Sequence, residues 1–131
     1  MSLSRDAILG ADDRPTRVVE VPEWGGSVRV RGLTGAERDA YETGLMSPRP
    51  DGSVRANLAN VRGRLVVLAC VDDDGNRLFR DDDAKALGEK SAQALDRVFD
   101  VARRLSGLSD DDVEELAEGF GNAPSGDSTS G

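Results

Sequence analysis

Apolar positions along this chain change their period at identifiable places, and each period predicts an element. In Ser27-Val28-Arg29-Val30-Arg31 the alternation is strict, which puts both valines on one face of a strand and both arginines on the other. Thr16-Arg17-Val18-Val19-Glu20-Val21 has strand composition and stops at Pro22. Between them, Pro22-Glu23-Trp24-Gly25-Gly26 offers paired glycines for a tight reversal, so the two strands read as a β-hairpin. A hairpin is not stable alone in water, and its valine face must therefore lie on helices or on strands of another subunit.

Helical periods follow. Val54, Leu58, Val61, Leu65, Leu68 and Ala69 recur at three or four and predict a central helix from Val54, whose apolar face Val66, Val67, Cys70 and Val71 widen. Leu95, Val98, Phe99, Ala102 and Leu105 form a second stripe behind the cap Ser91. Val113, Leu116, Ala117 and Phe120 form a third behind Ser109. Thr34-Gly35-Ala36-Glu37 is a capping box, opening a helix to about Gly44 with Ala36, Ala40, Tyr41 and Leu45 inward. Ser4 caps a short helix that Gly10 stops, and it persists only if Ile8 and Leu9 dock on something. Asp81-Asp82-Asp83 starts another short helix through Leu87. Ser47 to Gly52 is a loop and Asp72 to Asn76 a turn. The expected fold is α+β, mostly α-helical, with an N-terminal β-hairpin and a disordered C-terminal tail. One domain covers residues 1–120, with the short helix and hairpin in 1–33 and helices in 34–120, and the tail is 121–131.

Composition narrows what such a domain does. Among 131 residues only 4% are aromatic and 32% are charged, so the core is built mainly from Val, Leu and Ala and is thin. The net charge of -8 is unevenly placed: residues 1–70 hold nine acids and ten bases, residues 71–131 sixteen acids and seven bases. An acidic chain is a poor match for nucleic-acid phosphates or an anionic membrane, because both are held by clustered Lys and Arg. No histidine is present, which removes the commonest neutral-pH proton carrier and zinc ligand together. Cys70, the single cysteine, can form no internal disulfide and lies on an apolar stripe, where it reads as core. The first residues lack a signal-peptide layout and no apolar run has membrane-spanning length, so the expected location is the cytoplasm.

Candidate chemistry is sparse. Aligning Gly75 with position 6 of a calcium loop puts Cys70 where the first acid belongs and Asp81 where a bidentate glutamate belongs, so no metal is expected. No carboxylate pair is singled out for acid/base work and no glycine-rich phosphate loop is present; the expectation is no enzyme and no cofactor. Two features suit partner binding. Trp24 stands at the hairpin tip, where it either anchors a partner or packs over its own hairpin, and Val113, Leu116 and Phe120 make a stripe that docks within the chain or on a partner. An acidic regulator of the DNA-mimic type is a second function class, and it requires carboxylates spaced like a phosphate track.

The order of motifs resembles one family. Met1 to Leu9, Val19-Glu20-Val21-Pro22-Glu23-Trp24-Gly25-Gly26, Val28-Arg29-Val30-Arg31 and Leu33-Thr34-Gly35-Ala36-Glu37-Arg38 are similar to the opening of the phage tail assembly chaperones. The likeness continues through Asp74 to Phe79, Leu87 to Ser91 and Leu108 to Phe120, roughly residues 1–120, with Pro-Glu-Trp-Gly-Gly and Leu-Thr-Gly-Ala-Glu-Arg its most specific parts. The resemblance implies a non-enzymatic protein of long-tailed phages or prophages that works in the host cytoplasm during virion assembly. It implies partners too: the tape-measure protein, tail tube protein recruited around it, and other copies of the chain. It further implies absence from the mature particle.

Overall fold

A computed structural model describes residues 2–108. Strand β1 (Thr16–Val21) and strand β2 (Gly26–Arg31) form the expected antiparallel hairpin, in the register Thr16 to Arg31 through Val21 to Gly26. A one-turn 3₁₀ segment, Pro22–Trp24, closes it, and Gly25 takes φ 81° at its end, a left-handed conformation that glycine adopts without a Cβ clash. Residues on one face alternate as Val19, Val21, Val28 and Val30, and this face covers the core. Val21 and Val30 are fully buried.

Four further elements precede the central helix in the chain. Helix α1 (Arg5–Leu9) is capped by Ser4, whose side chain accepts the Ala7 amide. Helix α2 (Gly35–Gly44) has the complete capping box, with Thr34 and Glu37 exchanging both bonds. Strands β3 (Met46–Pro48) and β4 (Val54–Ala56) pair as a second, small hairpin. Helix α3 (Val61–Ala69) then runs through the middle of the domain and passes directly into β5 (Cys70–Val71), which pairs with β2 as a third strand. The 3₁₀ turn Asp81–Asp83, helix α4 (Ala84–Leu87) and helix α5 (Ala92–Leu105) complete the order. The sheet order is β1-β2-β5, with α5 across its valine face and α3 packed on α5, α4 and α2.

Several expectations are corrected. The helix begins at Val61 rather than Val54, and Val54 and Leu58 are about two-fifths exposed rather than buried (40% and 43%). The reason is local: Asn57 accepts the Ala59 amide with its own side chain, Asn60 sits in the left-handed region at φ 53°, and the Asn57 amide donates to the Leu45 carbonyl. These bonds serve the chain better than a helical turn could across two asparagines. The same helix ends two residues early, at Ala69, because Cys70 turns extended (φ -82°, ψ 133°) to pair with Val30. Residues 34–120 are thus not helical throughout. Ala36 and Ala40 face solvent, so the buried apolar anchors of α2 are Tyr41 and Leu45, with Arg14 on Glu37 and Arg64 on the Gly44 carbonyl as polar ties. Helix α1 buries none of its residues, and Ile8 and Leu9 remain exposed at 55% and 68%. The third apolar stripe and the tail lie outside the described residues.

Both ends of the β1–β2 ribbon are tied down. At the tip, Arg97 of α5 donates two bonds to the Glu23 carboxylate (2.8 and 3.0 Å). At the open end, Arg14 Nε donates to the Gly32 carbonyl at 2.8 Å, and the Leu33 amide donates to the Ser106 hydroxyl at 3.0 Å. Gly32 itself lies so close to α5 that an added Cβ would stand 2.5 Å from the Leu105 carbonyl oxygen.

The Arg97 hydrogen bonds hold the Glu23 carboxyl at about 2, well below its ordinary value of 4.5. A carboxyl depressed in the fold stabilises it above its unfolded value, and that contribution is lost as pH falls from about 4.5 through about 2. Glu23→Gln is expected to be less stable than the parent at neutral pH and to converge on it near pH 2. Urea midpoints taken across this range check it, and a constant gap would show that the ion pair contributes nothing through charge.

Candidate protein-docking surface

Among the described residues, several carboxylates of the acidic clusters are used within the fold. The Asp72 carboxylate accepts the amides of Asp74 and Asn76, forming the turn in which Gly75 takes φ 86°. Asp81 accepts from Arg77 at 2.7 Å, and Asp83 accepts the Arg80 amide at the 3₁₀ start. Among the described residues no group of three or more His, Cys, Asp or Glu converges to hold a metal, and no helix is long and apolar enough to cross a membrane. Cys70 is fully buried, and burial pushes its thiol up to about 12, far from thiolate chemistry at neutral pH. Tyr41 is likewise pushed up to about 12 by burial, with its hydroxyl donating to the Val61 carbonyl.

What the surface offers is apolar area. Trp24 occupies the last position of the 3₁₀ turn, half-buried against the core cluster and next to the Glu23–Arg97 pair. It therefore both packs over its own hairpin and presents part of its ring outward. Val113, Leu116 and Phe120 lie outside the described residues, so Trp24 is the one predicted partner residue with a described position.

Sequence reasoning missed two other apolar surfaces. The outer face of the sheet carries Val18, 49% exposed, with Leu78 at 48%, around a hollow of about 300 Å³ that also takes in Val71 and Arg29. Arg29 reaches Asp73 at 3.5 Å, while its Nε lies buried with no hydrogen-bond partner. The signal was present: Val18 and Val19 are adjacent, and adjacent valines in a strand must point to opposite faces. The second surface is a groove of about 490 Å³ between the start of α3 and the start of α5, with Leu58, Val61 and Leu95 as its apolar lining and Arg62, Lys90 and Asp96 among its charged residues. Arg62 both pairs with Asp96 at 2.7 Å and lies 5.6 Å over the Phe99 ring, which fixes that wall. Its floor depends on Gly63 and Gly88, where an added Cβ would collide with the Ala84 carbonyl and the Asn60 side chain. The late start of the helix is what hid this groove, since Leu58 reads as core only if the helix starts at Val54.

Exposed apolar grooves and faces of this kind are surfaces on which other proteins dock. No curated protein and no solved structure matches the chain. A family model described as phage tail assembly chaperone matches residues 11–119, spanning the hairpin, helices α2 to α5 and the acidic stretch beyond Leu108. The chain belongs to the phage tail assembly chaperone family.

Proposed function

We propose that this chaperone binds the tape-measure protein of its phage, helps recruit tail tube subunits around it, and associates with further copies of itself while doing so. It acts in the host cytoplasm and leaves before the particle is mature. The observation that supports the reading best is the α3–α5 groove: an apolar strip with a charged rim, open at the surface, suited to side chains from one face of an extended helical client. Charge on the rim sets register and keeps the contact reversible, while the apolar lining provides the attraction. Trp24 and the stripe Val113, Leu116 and Phe120 extend the client-binding surface in this proposal.

Co-expression with the tape-measure protein tests it. The parent chain is expected to co-purify with that protein and keep it in the soluble fraction, and Leu58→Glu, at an already exposed groove position, is expected to weaken capture at least tenfold without unfolding the chain. Failure of the parent to bind or solubilise the tape-measure protein, together with tight binding to a DNA-binding protein, would move the assignment to an acidic regulator.

A further inference from the structure

We infer that the free edge of β1 is a self-association edge, on which a second copy lays its own β1 antiparallel across a two-fold axis at Val18. Two three-stranded sheets then become one sheet of six strands. The inference deepens the self-association part of the reading above and is independent of the tape-measure partner.

The first observation is that the edge is open. Among the described residues β1 pairs with β2 alone, and Thr16, Arg17, Val18 and Glu20 are all exposed. Thr16 to Val21 contains no proline, lysine or bulge to block pairing, and its two charged residues, Arg17 and Glu20, are of opposite sign.

The second observation is hydrogen-bond parity. The Gly32 amide donates to the Pro15 carbonyl, so residues in step with this pair, namely Arg17, Val19 and Val21, turn their backbone groups toward β2. The groups of Thr16, Val18 and Glu20 therefore point away from β2, to the open side. An antiparallel partner must bring together residues that share a face, which leaves two central registers for identical strands. With Val18 opposite Val18, Thr16 meets Glu20 of the second copy and all three outward residues on each strand exchange bonds. With Val19 opposite Val19, Val18 meets Glu20 and Thr16 meets Pro22, which has no amide to give. The first register satisfies more of the edge.

The third observation is side-chain fit in that register. On the outer face the exposed Val18 side chains meet at the axis, extending a row that runs through Arg29 to Val71 within each copy. Glu20 of one copy lies beside Thr16 of the other, whose neighbour on β2 is Arg31. A carboxylate thus enters a site next to a guanidinium paired, among the described residues, with the exposed Asp12. An isologous contact of this kind closes at two copies on this edge.

Two variants test the interface. The Val18 amide has no intrachain ladder role, so Val18→Pro leaves β1–β2 intact and removes the two bonds at the axis. Val18→Cys places two identical residues across a hydrogen-bonded antiparallel pair, where Cα atoms are about 5.5 Å apart and a disulfide can close; Cys70, fully buried, does not compete. Sedimentation over about 1 μM to about 1 mM, the range expected for a small interface, should show the parent passing from monomer to dimer. Val18→Pro should stay monomeric with an unchanged urea midpoint, and Val18→Cys should oxidise to a covalent dimer. A parent that is monomeric throughout overturns both this edge and the self-association reading. A parent that dimerises while Val18→Pro dimerises equally, or Val18→Cys fails to cross-link, overturns the edge alone. Should Val18→Pro fail to fold, cross-linking of Val18→Cys decides, and cross-linking only to a co-expressed client cysteine assigns the edge to the client instead.

Discussion

Gly63→Ala is expected to cost about 3 kcal/mol, at the upper end for overpacking, because the atom it adds has nowhere to go. A Cβ at this position would stand 2.5 Å from the Ala84 carbonyl oxygen, with the Ala84 carbonyl carbon and Cα at 3.4 and 3.6 Å. All three are backbone atoms of α4, so no rotamer change relieves the clash, and α3 and α4 must separate. Gly63 is α-helical and needs no positive φ, so the backbone itself tolerates alanine and the loss reports the close approach alone. At roughly 4 °C per kcal/mol for a domain of this size, the melting temperature should fall by roughly 12 °C. Thermal unfolding followed by circular dichroism checks it; a fall below about 3 °C would mean that α4 is free to move away, since that corresponds to less than about 1 kcal/mol.

Leu65→Ala should be comparably severe. Leu65 is fully buried in α3, the helix that touches α2, α4 and α5, and no element can close over the space it leaves without breaking another contact. Truncations of this kind cost about 2–5 kcal/mol, and rigid surroundings favour the upper part of that range. A core with few aromatics and a total stability of order 5–15 kcal/mol gives little margin, so the variant is expected to unfold at a urea midpoint reduced by roughly a third or more. A midpoint shift as small as that expected for a surface residue would show that the helix layer is loosely packed. Both substitutions also bear on the groove, whose floor is formed where α3 meets Gly88 and α4.

The hairpin, the Thr34–Glu37 capping box and the α5 stripe were legible because each is written in local chemistry. The Thr34–Glu37 exchange needs only a spacing of three, and Leu95, Val98, Phe99 and Ala102 fall on one side of a regular helix. The α3 region was not legible for a physical reason. Val54, Leu58 and Val61 keep helical spacing by accident, while Asn57 binds the Ala59 amide locally, Asn60 takes a positive φ and the residues around Ser47 and Arg55 pair as β3–β4. Nor could any window around Cys70 reveal β5, because its pairing partner Val30 is forty residues earlier in the chain. The docking surfaces inherit these limits. Trp24 was visible as a lone large aromatic in a turn, whereas the groove exists only once α3, α4 and α5 have come together.

The clamps on the β1–β2 ribbon have a mechanical consequence. A strip held only at its root would bend and twist freely, but this one is supported at both ends, by Arg97 on Glu23 at the tip and by Arg14 and Ser106 at the root. Its span between supports is just six residues. Such a beam keeps its outer edge straight before any partner arrives, so little backbone entropy remains to be lost when a strand is added to it. Loosening either support would soften the edge from a distance, without altering a single residue on it.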